Sequence, residues 1–503
     1  MDKDVRKIDV LCQRGQLTLV ILFGFLLRLA GIFSRPIWYD ESFSILFSQK
    51  GIFAMLSGTI SQAGGVAADV HPLGYYILLS VWLTLFGDSL FVARFLSLLA
   101  GLGLIFMAYV LTQRFWGHSV GLIAAFVVAC SPFQIHYAQE IRMYVWMTLW
   151  LILAVYAYWR AQDATGWAWW LGFAFFSALA QYTHHLSAVF LVSLAIFPVL
   201  QRDWNTVKHT TLAGIVGFLL YLPWLIHLPG QLAKVQTNYW TEPPGIERVF
   251  TTLLSFTMNL PVPNVWLGPA LFVALLIMLM AIWQTFRVKK RSVFGLWVMY
   301  MAFVPAALLF LISQWMPVFI ERALLPSGFM FCLWLVWAFW QNPAPKFLRW
   351  LMLILLSAAS LMGFWQYLTY HDFPYAPFAQ INSLIRNNLQ AGDVVIHSNK
   401  LTAFPAIYFD PDLPHRYIAD PLGGSTDTLA LATQQTLGWI ASADFDAATM
   451  AAPRVWLVIF RRSEQEAQDQ GLLQHPHLVW MQSNYSLQKT YEMGSVIVYL
   501  YSK

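Results

Sequence analysis

Up to about residue 370, long apolar stretches alternate with short polar loops. A helix needs about 20 predominantly apolar residues to cross a bilayer, and about eleven stretches meet that length. We therefore predict a polytopic α-helical membrane protein with about eleven transmembrane helices. The predicted spans cover residues 17–34, 89–112, 119–136, 143–160, 167–184, 186–201, 208–229, 266–287, 293–313, 322–341 and 347–368.

The pattern changes near His371, where apolar positions take the spacings of a soluble domain. The stretch "INSLIRNNLQAGDVVIHSN" indicates an amphipathic helix, a glycine turn and a strand. Four further short runs are typical of strands: "AIYFD", "HRYIAD", "RVWLVIF" and "SVIVYLY". The chain is thus predicted to divide into a transmembrane domain, residues 1–369, and a C-terminal soluble α/β domain, residues 370–503.

The positions of the basic residues orient the predicted spans. Short loops on the cytoplasmic side of a membrane are enriched in Lys and Arg. If the N-terminus is cytoplasmic, one side of the membrane receives nearly every short basic cluster, namely Gln113-Arg114, Arg160, Arg202 with Lys208, Arg287 to Arg291, and Lys346 with Arg349. The acidic "YDES" then lies outside, and the odd number of spans places the C-terminal domain outside as well.

The first outer loop, residues 35–88, contains an apolar segment of its own, "HPLGYYILLSVWLTLFG". One more crossing here would place Arg114 outside and invert the charge bias of every later loop. We therefore predict that this segment is a helix lying in the membrane interface.

Composition agrees with a membrane protein and excludes other classes. Hydrophobic residues make up 58% of the 503 residues and charged residues only 11%, against about 25% in soluble domains. The net charge of +5 is spread over short loops, so no nucleic-acid-binding patch is predicted. The three cysteines are isolated, which indicates neither a disulfide framework nor a cysteine metal site.

Two acidic groups at the outer ends of predicted spans are candidates for chemistry. Asp40 and Glu41 follow the first span, and "HYAQEIRMYVW" between the third and fourth spans contains Tyr137, Glu140, Arg142 and Tyr144. Ionisable residues at the mouth of a helical bundle are costly and commonly functional. The alternatives are a solvated loop acid for Asp40-Glu41 and an internal Glu140–Arg142 ion pair.

Further candidates lie on the same predicted side. They are His71 before Pro72, the pair His184-His185, Glu321-Arg322, and Arg94 near an outer helix end. The histidines could instead be structural hydrogen-bonding groups, and the arginines could extend to the lipid headgroups. Arginine also suits phosphate, since its planar guanidinium forms paired hydrogen bonds.

Acids and cations meeting at one water–lipid boundary suit group transfer from a phosphorylated lipid. A carboxylate would accept the proton of an incoming hydroxyl, and cations would stabilise the departing phosphate. An ion transporter would be expected to place ionisable groups near the middle of the membrane, where the predicted spans are nearly free of them.

Four motifs resemble a known superfamily. "YDESFS", "HPLGYYILLSVWLTLFGDSLFVARFLSLLAG", "YAQEIRMY" and "ERALLPS" occur in the order seen in GT-C membrane glycosyltransferases of the dolichyl-phosphate-mannose–protein mannosyltransferase superfamily. Lipid A aminoarabinose transferases are their bacterial relatives. The resemblance covers about residues 15–345 and is most specific in the first half of that range.

The resemblance implies a GT-C-like catalytic domain over residues 1–369 that uses a sugar on a polyprenyl phosphate, at the outer face, with inversion. Asp40 matches the first-loop acid proposed as base, Glu41 its neighbour, and Glu140 the second-loop acid. His71 occupies a position that contacts donor phosphate, although "HPLGYY" stands where "HPPLYY" is usual. Arg142 and Arg322 are further donor-phosphate candidates, and the remaining cavity candidates are Tyr137, Tyr144, His184, His185 and Arg94.

We therefore expect a plasma-membrane glycosyltransferase that acts on a hydroxyl of an envelope lipid, glycan or protein, with Asp40 as base. No cofactor is expected to be required, and no metal is predicted, because the acids and histidines show no metal-binding spacing. Two alternatives stay open: a transporter of lipid-linked sugars, and a non-catalytic scaffold for envelope assembly whose C-terminal domain is the active part.

Overall fold

The structure, a computed structural model, describes residues 2–33, 35–238, 241–288, 292–420 and 428–503. Lys289, Lys290 and Arg291 of the predicted cytoplasmic basic run lie outside the described residues. The helices up to residue 369 are α1 (Asp2–Leu29), α2 (Tyr39–Ser48), α3 (Ile52–Ile60), α4 (Gly74–Phe86), α5 (Leu90–Trp116), α6 (His118–Cys130), α7 (Pro132–Tyr137), α8 (Tyr144–Asp163), α9 (Ala168–Thr183), α10 (Ser187–Leu200), α11 (Trp204–Leu225), α12 (Leu228–Asn238), α13 (Glu247–Met258), α14 (Asn264–Arg287), α15 (Val293–Ile312), α16 (Leu325–Val336) and α17 (Lys346–Thr369).

Several of these helices have the length and composition of membrane spans. Among the described residues six qualify: Cys12–Leu29, Leu90–Trp116, Asn264–Arg287, Val293–Ile312, Glu321–Gln341 and Lys346–Thr369. A 3-10 turn (Glu321–Leu324) precedes α16 and a π-helical turn (Trp337–Gln341) follows it. The pair Trp204–Leu225 and Leu228–Gln236, bent by 72°, would make a seventh. The chain is a multi-pass membrane protein, while the count of eleven spans and their orientation stay predictions.

The first loop folds into helices on either side of a two-stranded hairpin, β1 (Gln62–Ala63) and β2 (Val66–Ala67). Its apolar segment forms α4, whose 13 residues reach about 20 Å, well short of the bilayer core. Helix α4 buries Tyr75, Tyr76 and Leu79 against the rest of the protein. A helix at this place was predicted, and its interfacial position stays a prediction.

The chain between α7 and α8 leaves the helical conformation at residues 138–143, and buried polar contacts hold it there. Gln139 donates its amide hydrogens to the carbonyl oxygens of Arg28 and Ala30, at 2.7 and 2.9 Å. Ser97 on α5 donates to the carbonyl oxygen of Glu140 at 2.6 Å. These contacts satisfy backbone groups at the end of α1 and determine where Glu140 lies.

The C-terminal domain contains a five-stranded sheet in the order β4-β3-β5-β7-β6. The neighbours β4, β3 and β5 are parallel, while β5, β7 and β6 are antiparallel. The strands are β3 (Val394–His397), β4 (His415–Tyr417), β5 (Arg454–Phe460), β6 (Ser486–Met493) and β7 (Val496–Ser502). The helices are α18 (Phe378–Asn388), α19 (Lys400–Phe409), α20 (Leu431–Leu437), α21 (Phe445–Thr449), α22 (Arg461–Asp469) and α23 (Pro476–Asn484).

Apolar clusters cover both faces of the sheet, which explains why its central strand is apolar along its whole length. Ile381, Ile385 and Ala406 pack on one face, while Phe445 and Leu478 pack on the other. A strand covered on both sides reads as an unbroken apolar run, as "RVWLVIF" does. The α/β composition of this domain is therefore confirmed.

One of the predicted strands is wrong. "AIYFD" belongs to α19, which begins after Asn399, whose side chain accepts a hydrogen bond from the backbone N–H of Leu401 at 3.0 Å. Five residues are too few to distinguish a strand from one turn of a buried helix. Ala406 packs towards the sheet while Phe404 and Ile407 join the cluster of the membrane part, so both faces of α19 are buried.

The C-terminal domain packs on the first loop. The Phe404 ring of α19 lies 5.8 Å from the Tyr39 ring at the start of α2, and Thr433 of α20 donates to the carbonyl oxygen of Gly58 at 2.9 Å. A side chain at Gly58 would collide with Thr436, so α3 and α20 approach closely. The domain thereby forms one wall of the site described next.

Candidate functional site

Two adjoining cavities lie beside the first loop. One, of about 530 Å³, is lined mostly by apolar side chains of α9, α10, α11 and α12. The other, of about 440 Å³, is polar and is lined by the first loop, Arg142, Arg322 and the C-terminal domain. Val70 and His71 line both cavities, so the two spaces meet at the residues just before α4.

Asp40, in the first turn of α2, lines the polar cavity between two arginines. Its Oδ2 lies 3.0 Å from Nη1 of Arg322 and 3.5 Å from Nε of Arg142. Burial opposes ionisation of Asp40, but Arg142 and Arg322 outweigh it, so the pKa of the carboxyl group lies below its ordinary value. Asp40 is therefore a charged carboxylate whose charge is compensated by two guanidinium groups.

Glu41 follows Asp40 in sequence but lies in a different environment. Its two carboxylate oxygens accept hydrogen bonds from Nε and Nη2 of Arg94 at 3.0 and 2.8 Å, and Oε1 also accepts the N–H of Ile141 at 3.2 Å. Successive residues on a helix point about 100° apart, so only one of the two acids can line the cavity. The geometry gives Glu41 a positioning role that joins the first loop, α5 and the 138–143 segment.

Arg94 neither extends to the lipid headgroups nor lines either cavity. It is 1% exposed and also donates to the carbonyl oxygens of Ile32, Arg35 and Pro36, at 3.0, 2.9 and 3.3 Å. These carbonyl groups belong to residues that follow the end of α1, where no further helical turn supplies N–H groups to them. The predicted cavity candidate Arg94 is instead a buried support for the first loop.

Glu140 lies behind the polar cavity and does not line it. It is 4% exposed, and its Oε2 has no hydrogen-bond partner among the residues that the structure describes. Its Oε1 lies 3.9 Å from Nε2 of His136. Burial, opposed by Arg322, raises the pKa of Glu140 from an ordinary 4.5 to about 7.

The alternative Glu140–Arg142 ion pair is wrong, because Arg142 turns to Asp40 instead. Arg142 also lies within hydrogen-bond distance of the Ser44 and Tyr76 hydroxyl oxygens, at 3.3 and 3.4 Å. Both contacts hold the guanidinium against α2 and α4. Arg142 is thus held by α2, which carries Asp40, and by α4.

Arg322 points into the polar cavity and not towards the lipid headgroups. Besides its ion pair with Asp40, its guanidinium lies 5.2 Å from the centroid of the Tyr144 ring and 5.8 Å from that of Trp38. Tyr137 lies behind this group, with its ring 4.6 Å from His136 and 5.9 Å from Tyr144. Tyr137 therefore supports the wall and does not line the cavity.

Of the predicted histidines, His71 lies where the two cavities meet, and His184 and His185 lie on the apolar side. Nδ1 of His71 lies 2.8 Å from Oδ1 of Asp69, and the His71 ring is 5.6 Å from that of His184. His185 is held by Gln231 at 2.9 Å and by the Tyr221 hydroxyl at 2.8 Å, which agrees with a structural role. His184 and His185 both line the apolar cavity.

Several cavity residues were not found from the sequence. Lys234 of α12, and Lys400 and Arg462 of the C-terminal domain, all line the polar cavity. Arg35 lies deeper, where its Nη2 is 3.0 Å from Nε2 of His136 and bonded to the Tyr375 hydroxyl. Arg35 directly follows the first predicted span, so it could have been chosen as a candidate together with Asp40. The sequence around Lys234, Lys400 and Arg462 shows no pattern that would identify them as cavity residues.

Metal binding receives no structural support. Over the described ranges, no group of three or more His, Cys, Asp or Glu side chains is placed to hold an ion. Asp40, one of the carboxylates that line the polar cavity, is already compensated by two arginines. The expectation that no metal is required stays a prediction.

Comparison with known proteins gives a partial sequence match. The family model "Dolichyl-phosphate-mannose-protein mannosyltransferase" matches residues 70–227. The undecaprenyl phosphate-alpha-4-amino-4-deoxy-L-arabinose arabinosyl transferase 2 of Pseudomonas fluorescens is 26% identical over 230 residues, or 43% of this chain. The match spans only 38% of that relative's own length.

The structural matches extend over nearly the whole chain. ArnT from Cupriavidus metallidurans superposes with a TM-score of 0.62 at 12% identity, covering 97% of this chain and 98% of that one. Its form bound to undecaprenyl phosphate gives a TM-score of 0.59 at 11% identity, with coverages of 96% and 97%. The Archaeoglobus fulgidus oligosaccharyltransferase gives 0.54 at 13% identity, covering 96% of this chain and 72% of that one. These likenesses confirm the predicted fold: the chain has the GT-C fold of membrane glycosyltransferases.

Proposed function

We propose that this chain is a membrane glycosyltransferase that moves a sugar from a polyprenyl-phosphate donor to a hydroxyl of an envelope lipid, glycan or protein, at the outer face of the plasma membrane. One observation carries the proposal: Asp40, paired with Arg142 and Arg322, lines a polar cavity that adjoins an apolar one at His71. The N-terminus is then cytoplasmic and the C-terminal domain extracytoplasmic.

The apolar cavity suits the polyprenyl chain. The lining helices α9, α10 and α11 also expose large apolar side chains such as Phe175, Val192 and Phe218, so an apolar chain could enter from the membrane and bury its surface. The binding of undecaprenyl phosphate by the structurally similar ArnT supports this assignment. The lipid phosphate would then lie near His71, where the two cavities meet.

Arg142 and Arg322 suit the phosphate of the donor. Both lie in the polar cavity, and guanidinium groups can form paired hydrogen bonds with phosphate oxygens. When the bond between the sugar C1 and the phosphate oxygen breaks, the phosphate gains a second negative charge. Two fixed cations would stabilise that charge as it develops, without reorganisation of water.

Asp40 suits the role of base. The acceptor hydroxyl oxygen would attack C1 from the face opposite to the phosphate, which inverts the configuration, and its proton would pass to the Asp40 carboxylate. The electron pair of the broken C1–O bond leaves with polyprenyl phosphate. Donor phosphate would share Arg142 and Arg322 with Asp40, so donor binding would raise the basicity of Asp40. Glu140 supports this site from behind.

The test uses purified protein and radiolabelled polyprenyl-phosphate sugars. Asp40→Asn removes the base and keeps the shape, so transfer is expected to fall about 100-fold or more, with donor binding retained. Asp88→Asn is the matched control, because Asp88 is an exposed acid of the same loop region. Unchanged transfer by a correctly inserted Asp40→Asn variant would refute the role of Asp40 as base. If the protein were instead a transporter, the labelled sugar would stay on its lipid in every variant.

A further inference from the structure

The sugar itself has no assigned contact in the proposed reaction. The phosphate lies near His71, and Asp40 accepts the proton of the acceptor, so the sugar has to lie between them. A second carboxylate of the first loop, Asp69, also lines the polar cavity and takes no part in the proposed chemistry.

Asp69 is held in one position. Its backbone N–H donates to the carbonyl oxygen of Thr59 at 3.1 Å, and its own carbonyl oxygen accepts a hydrogen bond from the Gln231 side chain of α12 at 3.1 Å. Oδ1 of its carboxylate accepts hydrogen bonds from the backbone N–H and from Nδ1 of His71, at 2.9 and 2.8 Å. The carboxylate therefore has the fixed placement that a binding residue needs.

The second carboxylate oxygen of Asp69 is left over. Both hydrogen bonds from His71 go to Oδ1. Oδ2 has no hydrogen-bond partner among the residues that the structure describes, and it is not one of the fully buried polar atoms. The side chain is 14% exposed and lines the polar cavity, so Oδ2 is open to a ligand there.

The charge of Asp69 restricts the kind of group that Oδ2 can bind. Burial opposes ionisation of Asp69, but His71 outweighs it and lowers the pKa of the carboxyl group from 3.8 to about 2. An ionised carboxylate can only accept hydrogen bonds, so its ligand must be a donor. An ionised phosphate oxygen is excluded, whereas a sugar hydroxyl fits.

Asp69 also lies on the path between the phosphate and the base. Its partner His71 lines both cavities and stands where the donor phosphate is expected. Burial and the charges of Asp69 and Asp40 raise the pKa of Tyr76, against the opposing charge of Arg142, so both carboxylates lie near one hydroxyl group. A sugar with C1 between the phosphate and Asp40 therefore passes Asp69.

We propose that Asp69 binds the transferred sugar: Oδ2 accepts a hydrogen bond from a sugar hydroxyl, while Oδ1 holds the His71 ring in place. This inference rests on the proposed function, because it uses the positions assigned there to the phosphate and the base. Asp69 would thereby orient C1 towards the acceptor and contribute to the choice of sugar.

The test measures binding without turnover, on full-length protein in phosphatidylcholine nanodiscs. The probes are undecaprenyl methyl phosphate, a sugar-free diester with the charge of the donor, and undecaprenyl phosphate glucose, galactose and mannose. We expect the unaltered protein to bind at least one sugar lipid about tenfold more tightly than the methyl ester, the contribution of one hydrogen bond to a charged group.

Asp69→Asn retains an oxygen for His71 but places an amide N–H where Oδ2 stands. It should remove most of the gain that the sugar provides. The methyl ester should bind equally or more tightly, because a negative charge near the phosphate is lost. Asp88→Asn, at an exposed acid after α4, should retain the gain.

His71→Asn provides the opposite change. The asparagine amide can still donate to Oδ1 of Asp69 in place of Nδ1, but nothing replaces Nε2 on the phosphate side. We expect weaker binding of the methyl ester with the sugar gain retained. Equal losses for the methyl ester and the sugar lipids in Asp69→Asn would show that Asp69 acts only through His71, and would overturn the proposal. An unchanged gain in that variant, or no gain in the unaltered protein, would do the same.

A second measurement needs no variant. Monodeoxy analogues of the sugar lipid that binds most tightly are compared on the unaltered protein. Removal of the hydroxyl that contacts Oδ2 should abolish the gain at one ring position, whereas equal losses at every position would contradict a specific contact.

The outcome is separable from that of the proposed function. If labelled sugar is transferred but Asp69→Asn retains the full sugar gain, only the role of Asp69 is refuted. If the gain depends on Asp69 but no sugar ever leaves the donor lipid, the glycosyltransferase assignment is refuted and the sugar-binding site remains.

Discussion

The apolar and polar cavities are assembled in different ways. The apolar cavity is lined mostly by one continuous stretch of chain, α9 to α12. The polar cavity takes its residues from the first loop, the 138–143 segment, Arg322 and the C-terminal domain, separated by up to several hundred residues. Helices that are neighbours in sequence can form a cavity for an apolar chain, because their lining side chains need only be apolar. Residues of opposite charge that are far apart in sequence are brought together only by the complete fold.

This difference predicts that buried supports matter more for the polar cavity than for the apolar one. Arg94→Met would leave the Glu41 carboxylate buried and unpaired, at a cost of about 3–5 kcal/mol. We expect a large fall in the thermal unfolding temperature, measured in detergent. The double variant Glu41→Gln/Arg94→Met, which buries no charge, should recover part of the loss; no recovery would contradict a pairing role.

Glu140 makes the support of the polar cavity pH-dependent. Its pKa is raised from 4.5 to about 7, so the folded protein retains a proton that the unfolded chain releases. Stability should therefore fall as pH rises from about 4.5 to 7, by about 3 kcal/mol in total, and stay level above that. Glu140→Gln should remove this slope in thermal unfolding curves, while Glu247→Gln, at an exposed glutamate, should retain it. If the dependence of stability on pH is unchanged in Glu140→Gln, it arises from a titrating group other than Glu140.

Arg322 should affect chemistry more than folding. Arg322→Gln removes one of two cations beside Asp40, and we expect transfer to fall about tenfold or more. The same change raises the pKa of Asp40, so the acid limb of the rate profile should move to higher pH. Rates measured from pH 4 to 8 test both effects. If the rate falls but the acid limb of the pH profile does not move, Asp40 is not the group that accepts the proton.

The smallest effect is expected in the apolar cavity, where many equivalent contacts share the binding. Val192→Trp, on α10, narrows this cavity and should raise the KM for undecaprenyl-phosphate sugar by about threefold to tenfold. Val199→Trp lies two turns further along α10, outside the cavity lining, and should leave KM unchanged. An equal rise in both variants would indicate a general effect on the helix.

Some of the site could be predicted because its signal is local. Asp40, Glu140, Arg142 and Arg322 all stand at the ends of apolar stretches, where an ionisable group is costly and therefore conspicuous. The motif order also predicted the GT-C fold, which the structural likenesses confirm. Short windows predicted less well: "AIYFD" is helical, because both its faces are buried and no period is visible.

The sequence by itself determined that the chain is a multi-pass membrane protein with a C-terminal α/β domain, since apolar length and period are local properties of the chain. Only the tertiary structure decided how the charges are shared. It directs Asp40 to the cavity and Glu41 to Arg94, pairs Arg142 with Asp40 and not with Glu140, and brings Lys400 and Arg462 to the same cavity. Electrostatic energy depends on distance in space and on burial, and neither is written in the spacing of residues along the chain.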